Sequence, residues 1–199
     1  SIKYVVENVL LAMGYKVYDC GLSSTPSMFM SIINFDVDAA IEITASHLPM
    51  NMNGLKFFTR EGGFSGDDIK AILTRASTKM WTKGDFKGTT EKLGNMAKYC
   101  EDLREMIKKG VNAPDYDYPL KDLKIVVDPS NGVGEFYIKD VLNPLGADTS
   151  GSIAVHPDGR FPTHQPNPEN KAAMDLISEA TKSANGDLGI IFDTDCDRS

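Results

Sequence analysis

The sequence predicts an α/β protein of two consecutive domains, 1–112 and 113–199, each built on a mainly parallel, mixed sheet flanked by helices. Three observations carry this expectation. Segments with helical spacing alternate with short extended apolar runs, an order that puts strands side by side with helices covering the sheet. The two-proline stretch "VNAPDYDYPL" breaks the alternation. Beyond it the alternation starts afresh, as a second domain would.

In chain order, "IKYVVENVLLAMG" sets Val5, Val6, Val9, Leu10 and Met13 on one helical face and closes on Gly14, so it reads as a helix with an apolar core face, cut short at its start. "YKVYDC" reads as a strand, Thr25-Pro26 as an N-cap and first-turn proline opening a short helix, and "DAAIEIT" as a buried strand. After a polar loop comes the brief apolar "LKFF"; Ser65 to Asp68 then fits a capping box, with Asp in the place of Glu, opening the helix "DDIKAILTRAS". "TKGDFKGTTEK" is a polar stretch. "NMAKYCEDLREMIKKG" is a helix with a solvated charged face, Glu105 being spaced to pair with Lys109. In the second half "LKIVVD" is a strand, "PSNGVG" a tight turn, "EFYIKDVLNPLG" a helix with Pro144 near its end, and "ADTSGSIAV" an extended segment. "HPDGRFPTHQPNPEN" holds four prolines together with His156, Arg160 and His164, which marks a structured polar loop. The helix "KAAMDLISEATKS" and the strand "DLGIIF" follow.

The composition is that of a globular chain: 199 residues, 41% hydrophobic and 25% charged. A formal charge of -7 argues against nucleic acid or an anionic membrane as partner, since both select a basic face. Cys20, Cys100 and Cys196 form no CxxC pair and leave an odd thiol, so all three read as free in a reducing compartment. With no run of 18 apolar residues and no signal-peptide order at the N-terminus, a soluble, cytoplasmic protein is expected, an organelle being equally open.

Two loops at strand ends carry the chemistry. In "DTDCDRS", Asp193, Asp195 and Asp197 follow an apolar strand at alternate positions, so in an extended backbone their carboxylates share one face while Thr194 and Cys196 point the other way. Unpaired, they would repel one another. A hard divalent cation relieves that, and Mg²⁺ suits carboxylate oxygens while leaving positions for water or phosphate. The plainer reading is a solvated acidic loop. The turn "DPSNGVGE" could cradle a phosphate, but its spacing matches no nucleotide-binding fingerprint and a tight strand-to-helix turn explains it.

In "ITASHLPMNMNGLKFF", Ser46 has three conceivable jobs: a cap, a hydrolase nucleophile or a phosphoryl carrier. The G-x-S-x-G elbow is absent, and an extended backbone would aim His47 away from Ser46. Asn53-Gly54 permits a sharp turn that brings Lys56 back beside the serine, a cation suited to a doubly negative phosphate. Spacing alone leaves these alternatives open.

The loop "TASHLPMNMNGLKFF" resembles the active-site loop of the alpha-D-phosphohexomutases, the phosphoglucomutase and phosphomannomutase superfamily, whose pattern runs T-A-S-H-N-P and then N-G-x-K. "DPSNGVG", "PDGRFPTHQPNPEN" and "DTDCDRS" are similar to further motifs of that family, in the same order. The resemblance implies Ser46 as the phosphoserine, Mg²⁺ held by Asp193, Asp195, Asp197 and a phosphoserine oxygen of Ser46, and Arg198, His47 and Lys56 lining the site. It also implies a hexose phosphate substrate, a hexose 1,6-bisphosphate activator, and interconversion of 1- and 6-phosphates through a bisphosphorylated sugar. Lys56 and His47 are both candidates for the general base. Leu48 stands where the family has Asn, and Thr194 and Cys196 where it has glycine, which asks those two residues for ordinary backbone angles. The resemblance covers most of the first and nearly all of the second of four domains, so the chain is expected to be a fragment, inactive by itself. Three rivals stand beside it: a non-catalytic sugar-phosphate-binding relative, a haloacid-dehalogenase-type phosphatase with Asp193 as nucleophile and Asp195 as acid, and a purely structural domain pair with affinity for neither metal nor phosphate.

Overall fold

The computed structural model describes residues 1–78, 84 and 87–199; part of the polar stretch "TKGDFKGTTEK" lies outside them. The first half runs α1 (Ile2–Ala12), β1 (Lys16–Asp19), α2 (Thr25–Asn34), β2 (Ala39–Ile43), β3 (Leu55–Thr59), β4 (Gly62–Gly63), α3 (Gly66–Thr78), β5 (Thr89–Lys92) and α4 (Asn95–Val111). The second half holds β6 (Ile125–Asp128), a π-helical segment (Tyr137–Leu142), a 3₁₀ turn (Asn143–Leu145), α5 (Lys171–Ser183) and β7 (Leu188–Ile191).

The α/β class and the mixed sheets agree with expectation. β1 and β5 pair in parallel with Lys16 opposite Thr89, and β6 and β7 with Ile125 opposite Leu188. β2 and β3 are antiparallel, Glu42 facing Lys56. The link between them is too short for the dozen or more residues that a parallel crossover needs, so the chain must double back.

Several local expectations are corrected. Thr89–Lys92, read as part of a polar stretch, is the strand β5: an edge position exposes both faces, so no apolar alternation marks it. β2 buries only Ala40 fully, because its far face is open. "ADTSGSIAV" is not extended beyond a single bridge between Lys124 and Asp148; positive φ at Gly151 (101°) and Ala154 (47°) turns the chain there. "EFYIKDVLNPLG" winds as π-helix and then 3₁₀ rather than as α-helix, with Pro144 offering no N–H and Gly146 ending it at φ 94°. Ser24, not Thr25, caps α2: its side chain accepts from Ser27 N–H, and Pro26 lies in the first turn. Glu105 meets Lys108 rather than Lys109. The apolar face of α1 is exposed within these 199 residues, Val5 and Val9 at 60% and 53%. The capping box at α3 forms as expected, Ser65 N–H donating to Asp68 and Asp68 N–H to Ser65 Oγ.

The main core joins α4 to the second half: Tyr99 and Cys100 of α4 pack with Val127, Phe136, Val141 and Leu145. A smaller cluster puts Ala173 and Ile177 of α5 on Val126 and Ile191. Full burial of a side chain such as Leu145 contributes roughly 1.5–3 kcal/mol. Cutting it to alanine would cost about 2–5 kcal/mol through the cavity left behind. Between α2 and α4 a buried polar cluster lies beside Met30, which packs against the apolar cluster holding Tyr99 and Cys100. Ser23 donates to Asn95, Asn95 to Ser27, and Ser31 to the Ser27 carbonyl, so small hydroxyls satisfied locally let the helices approach. That approach fixes the N-terminus of α2 beside the second half of the chain.

Candidate functional site

The serine loop is shaped by the β2–β3 hairpin. Thr44 N–H donates to Gly54 O at 3.1 Å. A Cβ on Gly54 would lie 2.8 Å from Thr44 O, so only glycine permits this closure. Ser46 takes a left-handed φ of 51°, and its N–H donates to Thr44 Oγ1 at 2.8 Å. The backbone is therefore not extended at Ser46, and His47 does not project away: its Nδ1 lies 3.5 Å from Ser46 Oγ. The hairpin register returns Lys56 to the same end of the sheet, as the Asn53-Gly54 turn implies.

The aspartate loop follows β7. One carboxylate oxygen from each of Asp193, Asp195 and Asp197 lies within 4.8 Å of the others. They converge through a turn, not through an extended backbone: Cys196 N–H donates to Asp193 O at 3.3 Å, and Cys196 has φ 59°. The expectation of ordinary angles fails at Cys196, where the strain of the left-handed form, about 1–2 kcal/mol, is accepted in a thiol buried beside Gly134. Thr194 points not to the far side but to the serine loop, donating to Ser46 O at 2.7 Å.

These two loops meet. Ser46 Oγ donates to Asp193 Oδ2 at 2.7 Å across 147 residues of sequence. Lys56 Nζ donates to Asp195 Oδ2 and to Asp197 Oδ2, both at 2.7 Å. Asp193 is fully buried and also accepts from the N–H groups of Asp197 and Arg198. Arg198 thus contributes its main chain, while its side chain is exposed.

Electrostatics separate the carboxylates. Burial pushes Asp193 above the usual carboxylate range, the charge of Asp195 adding to it and the Ser46 hydroxyl opposing it. Burial works against ionised Asp195 too, yet hydrogen bonds from Lys56 and Thr25 outweigh it and hold that carboxyl low. For Lys56 burial is likewise overcome by its two aspartates, and the ammonium stays charged. Glu42, opposite Lys56 on β2, is pushed up to about 8 by burial and by the charge of Asp195.

The donor set fits a hard cation. Asp195 Oδ2 is taken by Lys56 and Thr25, but Asp195 Oδ1 is buried with no hydrogen-bond partner among the described residues. An orphaned carboxylate oxygen in a converging acidic cluster has the chemistry of a magnesium ligand. A cavity of about 280 Å³, lined by Thr25, Lys56, Asp197, Phe57 and Phe64, opens beside it.

Three features of the site were not read from the sequence. Thr25 Oγ1 donates to Asp195 Oδ2 at 2.7 Å; the run Ser23-Ser24-Thr25-Pro26 offers several hydroxyls for one cap, which was the available signal. Glu42 carries only a faint signal, a lone acid within an apolar strand. The "PSNGVG" turn buttresses the aspartate loop, Val133 N–H donating to Thr194 O at 2.8 Å and a Cβ on Gly132 coming within 2.4 Å of that same oxygen. In the proline-rich loop, His164 pairs with buried Asp128 at 2.7 Å, while His156 and Arg160 remain exposed at the surface. All three cysteines are free thiols, and no described helix is long and apolar enough to cross a membrane.

Residues 97–199 match the family model described as phosphoglucomutase/phosphomannomutase, alpha/beta/alpha domain II, and residues 1–83 match the model of its domain I. The chain is 32% identical to a phosphomannomutase of Escherichia coli across 100% of its own length and 44% of that protein. It is 31% identical to a probable phosphoglucosamine mutase of Methanosphaera stadtmanae across 98% and 42%. Among solved structures, a phosphoglucomutase/phosphomannomutase family protein of Burkholderia thailandensis superposes with a TM-score of 0.79 at 27% identity, covering 98% of this chain and 41% of the other. The chain thus spans less than half the length of these relatives.

Proposed function

The chain belongs to the phosphoglucomutase/phosphomannomutase family, and from that premise we propose that the whole protein is a phosphohexomutase in which Ser46 carries the phosphoryl group. The observation that carries this reading is the hydrogen bond from Ser46 Oγ to buried Asp193, beside an ammonium that spans Asp195 and Asp197. A structural serine would satisfy Asp193 alone, leaving the convergence of Asp195, Asp197 and Lys56 on the same spot unexplained. A phosphoserine there gains a cationic partner in Lys56 and a site for a second cation.

Mg²⁺ is the proposed ion, held by Asp193, Asp195, Asp197 and an oxygen on phosphorylated Ser46; when bound, it supplies positive charge that stabilises the phosphoryl group in transfer. The chain's own residues account for the rest. A phosphate on Ser46 replaces the hydroxyl that now donates to Asp193, so phosphorylation and cation binding support each other. In the forward step the P–Oγ bond of phospho-Ser46 breaks, a bond from phosphorus to a sugar hydroxyl oxygen forms, and that hydroxyl's proton passes to a base. In the return step the Ser46 hydroxyl oxygen bonds to the phosphorus of the other phosphate, the bond from that phosphorus to its sugar oxygen breaks, and the sugar oxygen takes up a proton to leave as a hydroxyl. The Ser46 proton has two acceptors near it, Asp193 Oδ2 at 2.7 Å and His47 Nδ1 at 3.5 Å. Charged Lys56 is better placed to hold phosphate oxygens. A hexose phosphate is the substrate class and a hexose 1,6-bisphosphate the activator.

The test is phosphopeptide mapping after incubation with a radiolabelled hexose 1,6-bisphosphate. Label is expected at Ser46 and absent from Ser46→Ala. Label on Asp193 would instead support an aspartyl phosphatase, and no label with retained hexose phosphate binding would support a binding relative.

A further inference from the structure

We infer that Thr25 is a positioning residue for the cation site, gripping Asp195 so that its Oδ1 alone is presented to a divalent ion. This rests on the reading of the aspartate cluster as a metal centre. Thr25 is 7% exposed and lies 170 residues from Asp195 in sequence, yet it bonds that residue twice. Its N–H donates to Asp195 O at 2.9 Å and its hydroxyl to Asp195 Oδ2 at 2.7 Å. The first bond fixes the backbone of the loop and the second fixes the rotation of the carboxylate.

The hydroxyl is free for this because Ser24 performs the capping of α2. Lys56 Nζ lies 3.5 Å from Thr25 Oγ1 and 2.7 Å from Asp195 Oδ2, so the three groups form one chain of donors on one oxygen. The other oxygen, Oδ1, is buried without a partner on a side chain that is only 3% exposed. A buried carboxylate oxygen left without a donor is costly unless a ligand uses it. Two donors on Oδ2 and none on Oδ1 is the asymmetry that one-oxygen coordination requires. The strut also spans the two loops' parent elements, since α2 precedes the serine hairpin and Asp195 follows β7.

The experiment uses Mn²⁺ as probe on the full chain, following paramagnetic broadening of amide signals to obtain an affinity. Thr25→Val keeps the volume and the N–H but removes the hydroxyl, and is expected to weaken Mn²⁺ binding by about tenfold or more, the range seen when partners of metal ligands are removed. Thr25→Ser restores the hydroxyl and is expected to bind as the parent does. Ser31→Ala, which removes a buried hydroxyl of α2 far from the ion, is expected to lower the melting temperature without changing Mn²⁺ affinity. A structural role alone would make Thr25→Val behave like Ser31→Ala, and that result overturns the inference. So would equal losses in Thr25→Ser and Thr25→Val, because a hydroxyl at this position would then restore no binding. Should Thr25→Val fail to fold, Thr25→Ala is read in the same way. Asp195→Asn separates the premise: if it loses binding while Thr25→Val does not, the metal site stands and the strut falls. If the parent fails to bind, or Asp195→Asn binds equally, both fall.

Discussion

His164 is the residue whose charge is most tightly specified away from the site. Its Nε2 meets Asp128 Oδ2 at 2.7 Å and its Nδ1 meets the Gln165 carbonyl at 2.8 Å, so both ring nitrogens face acceptor oxygens, an arrangement that favours the charged ring. The side chains are 5% and 0% exposed. The hydrogen bond to Asp128 raises the His164 value above 6.5, although burial opposes it. A folded-state value raised above the unfolded one gives stability that is complete below pH 6.5 and is lost as pH rises through the higher, folded value. The melting temperature is therefore expected to fall as pH climbs from 6 toward 9. His164→Gln should flatten that fall and, at pH 6, cost roughly 3–5 kcal/mol by stranding the buried Asp128 charge. An unchanged slope in calorimetry of the variant would show that the pair does not titrate as its geometry implies. Because His164 anchors the proline-rich loop, loss of the pair should also raise amide exchange across 156–170.

Among the elements, the loops position the chemistry more than the helices do. The aspartate loop is held from three sides: by Thr25 of α2, by the serine hairpin through Thr194, and by the "PSNGVG" turn through Val133. The third contact depends on Gly132, where a Cβ would fall 2.4 Å from Thr194 O and 2.5 Å from its Cα. Both are backbone atoms, so no rotamer change relieves the clash. Gly132→Ala is expected to destabilise the chain by about 1–3 kcal/mol, the usual cost of overpacking. It should also displace Thr194 and so weaken Mn²⁺ binding, whereas an alanine at Gly110, where a Cβ meets nothing, should do neither. Equal Mn²⁺ affinity in Gly132→Ala and the parent would remove the turn from the support of the site.

On the scale of the whole molecule, α4 ties the chain together. It precedes the expected boundary at 112/113, yet its Tyr99 and Cys100 lie in the core built by Val127, Phe136, Val141 and Leu145, with Met96, Leu103 and Ile107 packed against it. A piece spanning 95–199 therefore keeps nearly all of both hydrophobic clusters, while 113–199 loses one wall of the larger. The longer piece is expected to melt cooperatively and the shorter one not to, as followed by circular dichroism with temperature. A cooperative melt of 113–199 would show that α4 is dispensable to that core.

Much of this was legible in the residues because it is local. The helix "KAAMDLISEATKS" and the capping box at Ser65 follow from spacing and from side chains bonding their own backbone, which need no distant partner. The Ser46 loop and the aspartate triad could be picked out as candidates, since three alternate carboxylates and a hydroxyl near a lysine are patterns of residue type, but spacing alone left their plainer readings open. What tertiary structure decided is which of these groups meet and which oxygen each presents. Ser46 and Asp193 are brought together across 147 residues, and Thr25 and Asp195 across 170. Left-handed angles at Ser46 and Cys196, in residue types that disfavour them, exist because surrounding bonds fix them, so no local propensity announces them. The buried serines of α2 carry the same physical lesson: periodicity reports which side chains share a face, and only packing decides whether that face meets water.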